Sequence, residues 1–298
     1  MLRYWYVIIL FLIFIVSCWN TSNDELPNTP TTGQIKVWGD NTFQYILPPQ
    51  IDLFSSIYKN THVELQFKPE SECIKGLLYD SCKIIFINRS LSSEELRIFQ
   101  KNNLIIQQTP IAHSAIALLG KAFQKNGLTI YQLKQILTGD SIYKVIFFRN
   151  NNGCMMFCKD SLLNGKSFGK NCFSVEDSSE FRKYLTTYNN VIGIMDYSFI
   201  CDDDDKWTRN LKYFLEDTLI IPVRKDEHSS AYYPDQSNIA TRDYPLTRTI
   251  YAIRRGDDFS LSAGFEAFIA GEKGQILFKK MGLVPTIDRE RRIEMKPY

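Results

Sequence analysis

The sequence predicts an α/β fold in which mostly parallel sheets carry helices on their faces, repeated as two sheet-and-helix units within one chain. Three observations predict it. Strand-like and helix-like runs alternate along most of the 298 residues. Some strand-like runs are apolar nearly throughout, as in 83–87 (KIIFI), which suits strands covered on both faces by crossover helices. The helix-like runs carry their own start and stop signals, such as Ser92 three residues before Glu95 and Gly139 after an apolar-periodic stretch. At 44% hydrophobic and 23% charged, the chain can bury a core large enough to divide into two lobes.

Residues 34–38 alternate as a short strand, Gly39-Asp40-Asn41 turns, and 43–58 form a long amphipathic helix. Residues 63–67 read as strand, 72–79 as helix, 83–87 as strand and 92–101 as a helix opened by a capping box. After Pro110 come a strand at 115–119, a helix at 130–137 closed by Gly139, a strand at 144–148 and a turn at 149–152. A helix at 153–163, a helix at 179–188 and strands at 191–195, 219–223 and 249–253 follow. Helices at 263–270 and 273–281, the latter stopped by Gly282, complete the pattern, with no tandem repeat. Open sheets of this kind bind ligands beyond the carboxyl ends of their strands.

The N-terminus reads as an address. Arg3 precedes an apolar run of about 13 residues, 4–16, which leads into Ser17 and Cys18 and so closes as Ile15-Val16-Ser17-Cys18. That ending fits the bacterial lipobox, aliphatic then small then Cys, and the run falls short of the ~20 residues a spanning helix needs. Residues 1–17 are thus expected to be a cleaved signal peptide and Cys18 a diacylated anchor, each buried methylene contributing about 0.8 kcal/mol of membrane affinity. Residues 18–33, rich in Asn, Thr, Pro and Ser, read as a flexible tether, with Asp24-Glu25 either an export signal or plain solvated residues. Loss of Arg3 with the signal lowers the formal charge from +2 by one, which gives no field for nucleic acid.

Five dispersed segments resemble the phosphate-binding proteins of bacterial ABC importers, over roughly residues 34–287. They are Gly39-Asp40-Asn41-Thr42-Phe43, Asn88-Arg89-Ser90-Leu91 before acids, 129–139 (TIYQLKQILTG) with the return segment 243–253 (DYPLTRTIYAI), and 268–285 (FIAGEKGQILFKKMGLVP). The resemblance implies a two-lobed type II periplasmic binding protein fold, with 34–112 and 250–298 as lobe 1 and 113–249 as lobe 2. It also implies hinges near 110–114 and 244–249, where few residues absorb the torsion of closure.

The implied site lies between the lobes: Thr42, Phe43, Ser71 and Arg89 on one side, Asn152, Gly153 and Cys154 on the other. Where the family carries Ser-Gly-Thr at a helix start, this chain has Asn152-Gly153-Cys154. The helix amides remain for an anion, but a weak S–H replaces one hydroxyl. Read without the resemblance, Thr42 and Ser71 open helices and either donate to an anion or cap. Arg89 follows an apolar strand and either grips an oxyanion or pairs with Glu94 or Glu95.

The remaining constellations read blandly. Cys73, Cys82, Cys154, Cys158, Cys172 and Cys201 are buried small hydrophobes or supply one or two bridges, and the sequence does not choose their pairing. The acids at 202–205 form an exposed loop without cation-loop spacing, and His62, His113 and His228 lack metal-ligand spacing. No metal, cofactor or catalytic step is expected. The expectation is a monomeric, lipid-anchored solute-binding protein that takes phosphate or a similar oxyanion from periplasm or cell exterior to an ABC permease. The alternative is a surface adhesion or sensing lipoprotein that keeps the fold without anion transport.

Overall fold

The structure is a computed structural model that describes residues 27–150, 153–201 and 219–287. The signal segment with Cys18, the acidic pair at 24–25, Asn152 and the acids at 202–205 lie outside the described residues.

Strand β1, Gly33–Asp40, ends in a 3₁₀ turn, Asn41–Phe43, and leads to helix α1, Leu47–Ile57. The helix expected from residue 43 starts later because Pro48 and Pro49 fit only its first turn, where no amide partner is needed. β2, Thr61–Lys68, and β3, Ile84–Ile87, flank β1 in parallel, joined through α2, Glu70–Leu78. α3, Ser93–Lys101, carries the Ser92/Glu95 capping box and feeds β4, Ile106–Gly120. β4 is far longer than the expected 115–119. Pro110 does not end it, because a register shift near Ile250/Tyr251 on the partner strand gives the proline a bulge to occupy.

The chain then forms β5, Leu128–Thr129; α4, Ile130–Thr138, capped by Thr129 and stopped by Gly139 at φ 95°; and β6, Lys144–Phe148. α5, Gly153–Phe157, continues into a π-helical turn, Cys158–Leu162. β7, Cys172–Val175, was not anticipated; α6, Ser178–Thr187, and β8, Val191–Asp196, were. Expected strand 219–223 splits into β9, Leu219–Ile220, which joins β4, and β10, Val223–Arg224, which joins β5. Pro222, with no N–H to donate, sits at the break. α7, Gln236–Ala240, precedes β11, Thr247–Arg255; α8, Leu261–Ala270, α9, Glu272–Lys280, and β12, Val284–Pro285, follow.

The main path of the sheet runs β2-β1-β3-β11-β4-β8-β6-β7. β11 enters antiparallel to β3 and β4, and β4 antiparallel to β8, so two parallel groups are joined by a pair of long antiparallel strands. Each group has its own core. Val37, Phe54, Phe86, Ala112, Ile250 and Phe265 pack in the first half, where Phe54 meets Phe265 edge-on with centroids 5.1 Å apart. Ala115, Leu118, Leu133, Phe147, Ile194 and Leu246 pack in the second. Ser114 and Arg248 face each other across β4 and β11 in the gap between those cores. Among the described residues Cys73, Cys82, Cys154, Cys158, Cys172 and Cys201 form no disulfide, and Cys73, Cys82, Cys154 and Cys158 are buried in the cores.

Candidate functional site

The site begins where β1 ends. Asp40 is fully buried, and its Oδ1 accepts from the Thr42 amide at 3.0 Å, capping the 3₁₀ turn. The same oxygen accepts from the Gly153 amide at 3.3 Å, so a first-half carboxylate touches the start of a second-half helix. Burial pushes the Asp40 pKa up, against the opposing pull of the Thr42 and Gly153 hydrogen bonds and of Arg248. Asn88, at the carboxyl end of β3, donates to Thr42 Oγ1 at 2.9 Å.

A side chain at Gly153 would have to displace Asn88. A Cβ there would stand 2.6 Å from Asn88 Nδ2 and 3.4 Å from Arg248 Nη1. The absent side chain is what lets α5 close onto the end of β3.

Arg248 supplies the buried cation. It is 3% exposed, opposite Ser114, and ion-pairs through Nη2 with Asp196 Oδ2 at the end of β8. Asp196 is oriented by its other oxygen, which accepts from the Ser114 hydroxyl at 3.2 Å and the Ser198 amide at 2.8 Å. Ser198 in turn donates to the Thr42 carbonyl at 3.1 Å, a further tie between the halves. Cys154 lies beside Arg248; burial raises its thiol to about 12, with the guanidinium pulling the other way. Arg248 Nε and Nη1, Asp40 Oδ2 and Asn88 Oδ1 are buried and find no hydrogen-bond partner among the described residues.

Of the residues picked from the sequence, Thr42, Gly153 and Cys154 come together here. Phe43 adjoins them, but its ring is buried in the first-half core. Two others need correction. Arg89 is held by Glu70 through Nε at 2.7 Å and by Glu95 through Nη1 and Nη2 at 2.7 and 2.8 Å. Its fork of donors is thereby committed to carboxylates and not to the cleft. Ser71 is exposed in the first turn of α2, while the neighbouring Glu70 points inward at 3% exposure. Burial lifts Glu70 to about 7 even though Arg89 opposes the shift.

Asp40, Asn88, Ser114, Asp196 and Arg248 were missed. Asp40, Asn88 and Arg248 all lie inside the motif segments already singled out, and Arg248 was the most accessible signal, the one cation of the hinge segment 244–249.

A family model described as a PBP superfamily domain matches residues 26–273. The chain belongs to the PBP superfamily. Solved structures agree in fold with this superfamily member. A protein from Clostridium perfringens described as a phosphate ABC transporter substrate-binding protein with bound phosphate matches at TM-score 0.66 and 18% identity, covering 86% of this chain and 100% of its own. An ABC-type phosphate transport receptor from Vibrio cholerae matches at 0.66 and 16%, covering 85% and 100%. PstS from Borrelia burgdorferi matches at 0.58 and 20%, covering 85% and 98%. No curated protein matches the chain. At these identities the likeness is one of fold, which is two-lobed and α/β as the motif resemblance implied.

Proposed function

We propose that this superfamily member is an exported, lipid-anchored solute-binding protein that captures a small protonated oxyanion, phosphate above all, between its halves and presents it to an ABC permease. The observation that carries the reading is the set of buried polar atoms at the junction of the halves that find no partner among the described residues. Arg248 Nε and Nη1 are donors in need of acceptors, while Asp40 Oδ2 and Asn88 Oδ1 are acceptors in need of a donor. A single small ligand that both accepts and donates satisfies the two sets together. Hydrogen phosphate does so at neutral pH; sulfate, which only accepts, would meet the Asp40 carboxylate with no proton between them. The solved relatives described as phosphate-transport proteins support the same choice.

Because Asp40, Thr42 and Asn88 come from one half and Gly153 and Cys154 from the other, such a ligand would bind the closed form more tightly and so favour closure. No bond is made or broken, and the reading is of a binding protein and not an enzyme. Among the described residues no helix is long and apolar enough to cross a membrane. In this reading the attachment is the lipid on Cys18, and a receptor tethered beside its permease works at raised effective concentration.

One observation favours a second reading. Asp40 already accepts from the Gly153 amide, and Asp196 already pairs with Arg248, so the chain's own carboxylates sit on donors that an anion would use. That arrangement suits a surface adhesion or sensing lipoprotein whose cleft is permanently self-occupied. Calorimetry of the full chain in mild detergent separates the two. Heat with phosphate, none with sulfate, and loss of the phosphate signal in Arg248→Met are expected. Absence of heat with every oxyanion tried would leave the self-occupied reading in its place.

A further inference from the structure

We propose a second anion site, separate from the junction of the halves, that takes a phosphomonoester or a similarly charged group carried on an apolar or aromatic body. A cavity of about 520 Å³ opens beside the first residues of β11, and three cations line it: Lys134 from α4, Lys225 after β10 and Arg242 before β11. None of the three makes an ion pair or side-chain hydrogen bond among the described residues, although other cations of the chain do pair, as Arg224 does with Glu227. The lining includes one acid, Asp243, and its carboxylate already accepts from the Thr241 hydroxyl at 2.6 Å. The cavity therefore carries a net excess of two positive charges in a chain whose overall formal charge is only +2.

The space is of the size usual for organic ligands, roughly 300–1,000 Å³, and far larger than one orthophosphate needs. Its walls divide by chemistry. The buried side chains of Leu162 and Tyr244 give an apolar floor, and the cations stand on the exposed or half-exposed margin. An apolar floor with a cationic margin selects an amphiphilic anion over a bare inorganic ion. Arg242 is also held at φ 61°, a left-handed backbone conformation uncommon outside glycine.

Two features keep this site distinct from the first. Thr247 and Thr249 line the cavity and flank Arg248 on β11, so the alternation of a strand points them to the face opposite Arg248. Along the helical segment that starts at Gly153 in the first site, Ser161 in the cavity wall lies eight residues on, roughly 12 Å away at helical rise. Thr249 also hydrogen-bonds His113 on β4 at 2.9 Å, and burial together with Arg242 holds that imidazole below its usual pKa, so the cationic charge of the site rests on Lys134, Lys225 and Arg242.

The probe is phenyl phosphate, titrated calorimetrically into the full chain in mild detergent with inorganic phosphate in large excess. Binding that survives the excess is expected. It should weaken about tenfold or more in a Lys134→Glu, Arg242→Glu double variant, since each reversal turns attraction into repulsion at contact distance. Both positions are solvent-accessible, and an unchanged urea midpoint checks that the variant folds. No heat from phenyl phosphate, heat that the reversals leave unchanged, or heat that the inorganic excess removes would each overturn the proposal. A sedimentation arm with phosphatidylglycerol and phosphatidylcholine vesicles tests a lipid headgroup as the source of the same chemistry. Charge-dependent vesicle binding with no phenyl phosphate heat would overturn the soluble ligand. The proposal does not rest on the oxyanion reading, because phosphate binding in the first site can fail while phenyl phosphate still binds here.

Discussion

Replacing Arg248 by Met removes a charge from a place that water cannot reach. Arg248 and Asp196 are 3% and 1% exposed, so neither charge can be rehydrated when its partner goes. Met fills much of the arginine stem's volume, which keeps the cavity contribution small. What remains is an unpaired carboxylate, and breaking a buried pair costs about 3–5 kcal/mol. Asp196 keeps its hydrogen bonds from Ser114 and the Ser198 amide at 3.2 and 2.8 Å, which argues for the lower end, about 3 kcal/mol. At roughly 2–4 °C per kcal/mol for a chain of this size, the melting temperature should fall by roughly 6–12 °C. Asp196→Asn alone strands the cation and should cost a similar amount, whereas the two changes together should cost much less than their sum. Urea unfolding near neutral pH, with an unchanged denaturant slope, measures this cycle. A coupling energy of about 2–3 kcal/mol is expected for neighbours of this kind. Additive costs, or a single-variant cost below about 1 kcal/mol as at exposed pairs, would refute the buried pair as the tie between β8 and β11.

Three further outcomes follow from the same geometry. Gly153→Ala puts a methyl 2.6 Å from Asn88 Nδ2 and should destabilise the closed form by about 1–3 kcal/mol; loss of phosphate heat with little change in the secondary-structure signal by circular dichroism is the expected result. Arg89→Ala should leave phosphate affinity within about twofold while lowering stability by about 1–3 kcal/mol, because it unpairs the buried Glu70; a large loss of affinity would return Arg89 to the site. Glu70 has a folded pKa of about 7 against an ordinary 4.5, so the native state binds the extra proton between those values. Stability from that group is full below about 4.5 and is lost as pH rises through 7, and the urea midpoint should therefore fall across that window. Glu70→Gln should flatten the fall, and an unchanged slope would contradict the assignment.

Much of the fold was legible because helix and strand signals are local. The Ser92/Glu95 box, the Thr129 start and Gly139 stop of α4, and the apolar β3 each act within a few residues, and each appears where the sequence put it. Pro48-Pro49 was as local and would have corrected the start of α1. β7 and the length of β4 were not legible, since a strand with mixed polarity is fixed by what pairs beside it.

For the candidate site the sequence pointed to the segments that matter: the turn after β1, the end of β3, the start of α5 and the strand through Arg248 all lie in segments that the family resemblance singles out. Only the tertiary structure decided which side chains in those segments face one another. Arg89 and Arg248 are both cations in or beside apolar strands, and nothing in their local sequence ranks them. Glu70 and Glu95, 19 and 6 residues from Arg89, claim it at 2.7 Å, while Arg248 lies against Asp196, 52 residues away on β8. A charge settles with the partner that folding brings near in a low-dielectric interior, and that pairing is a property of the packed halves and not of the neighbouring residues.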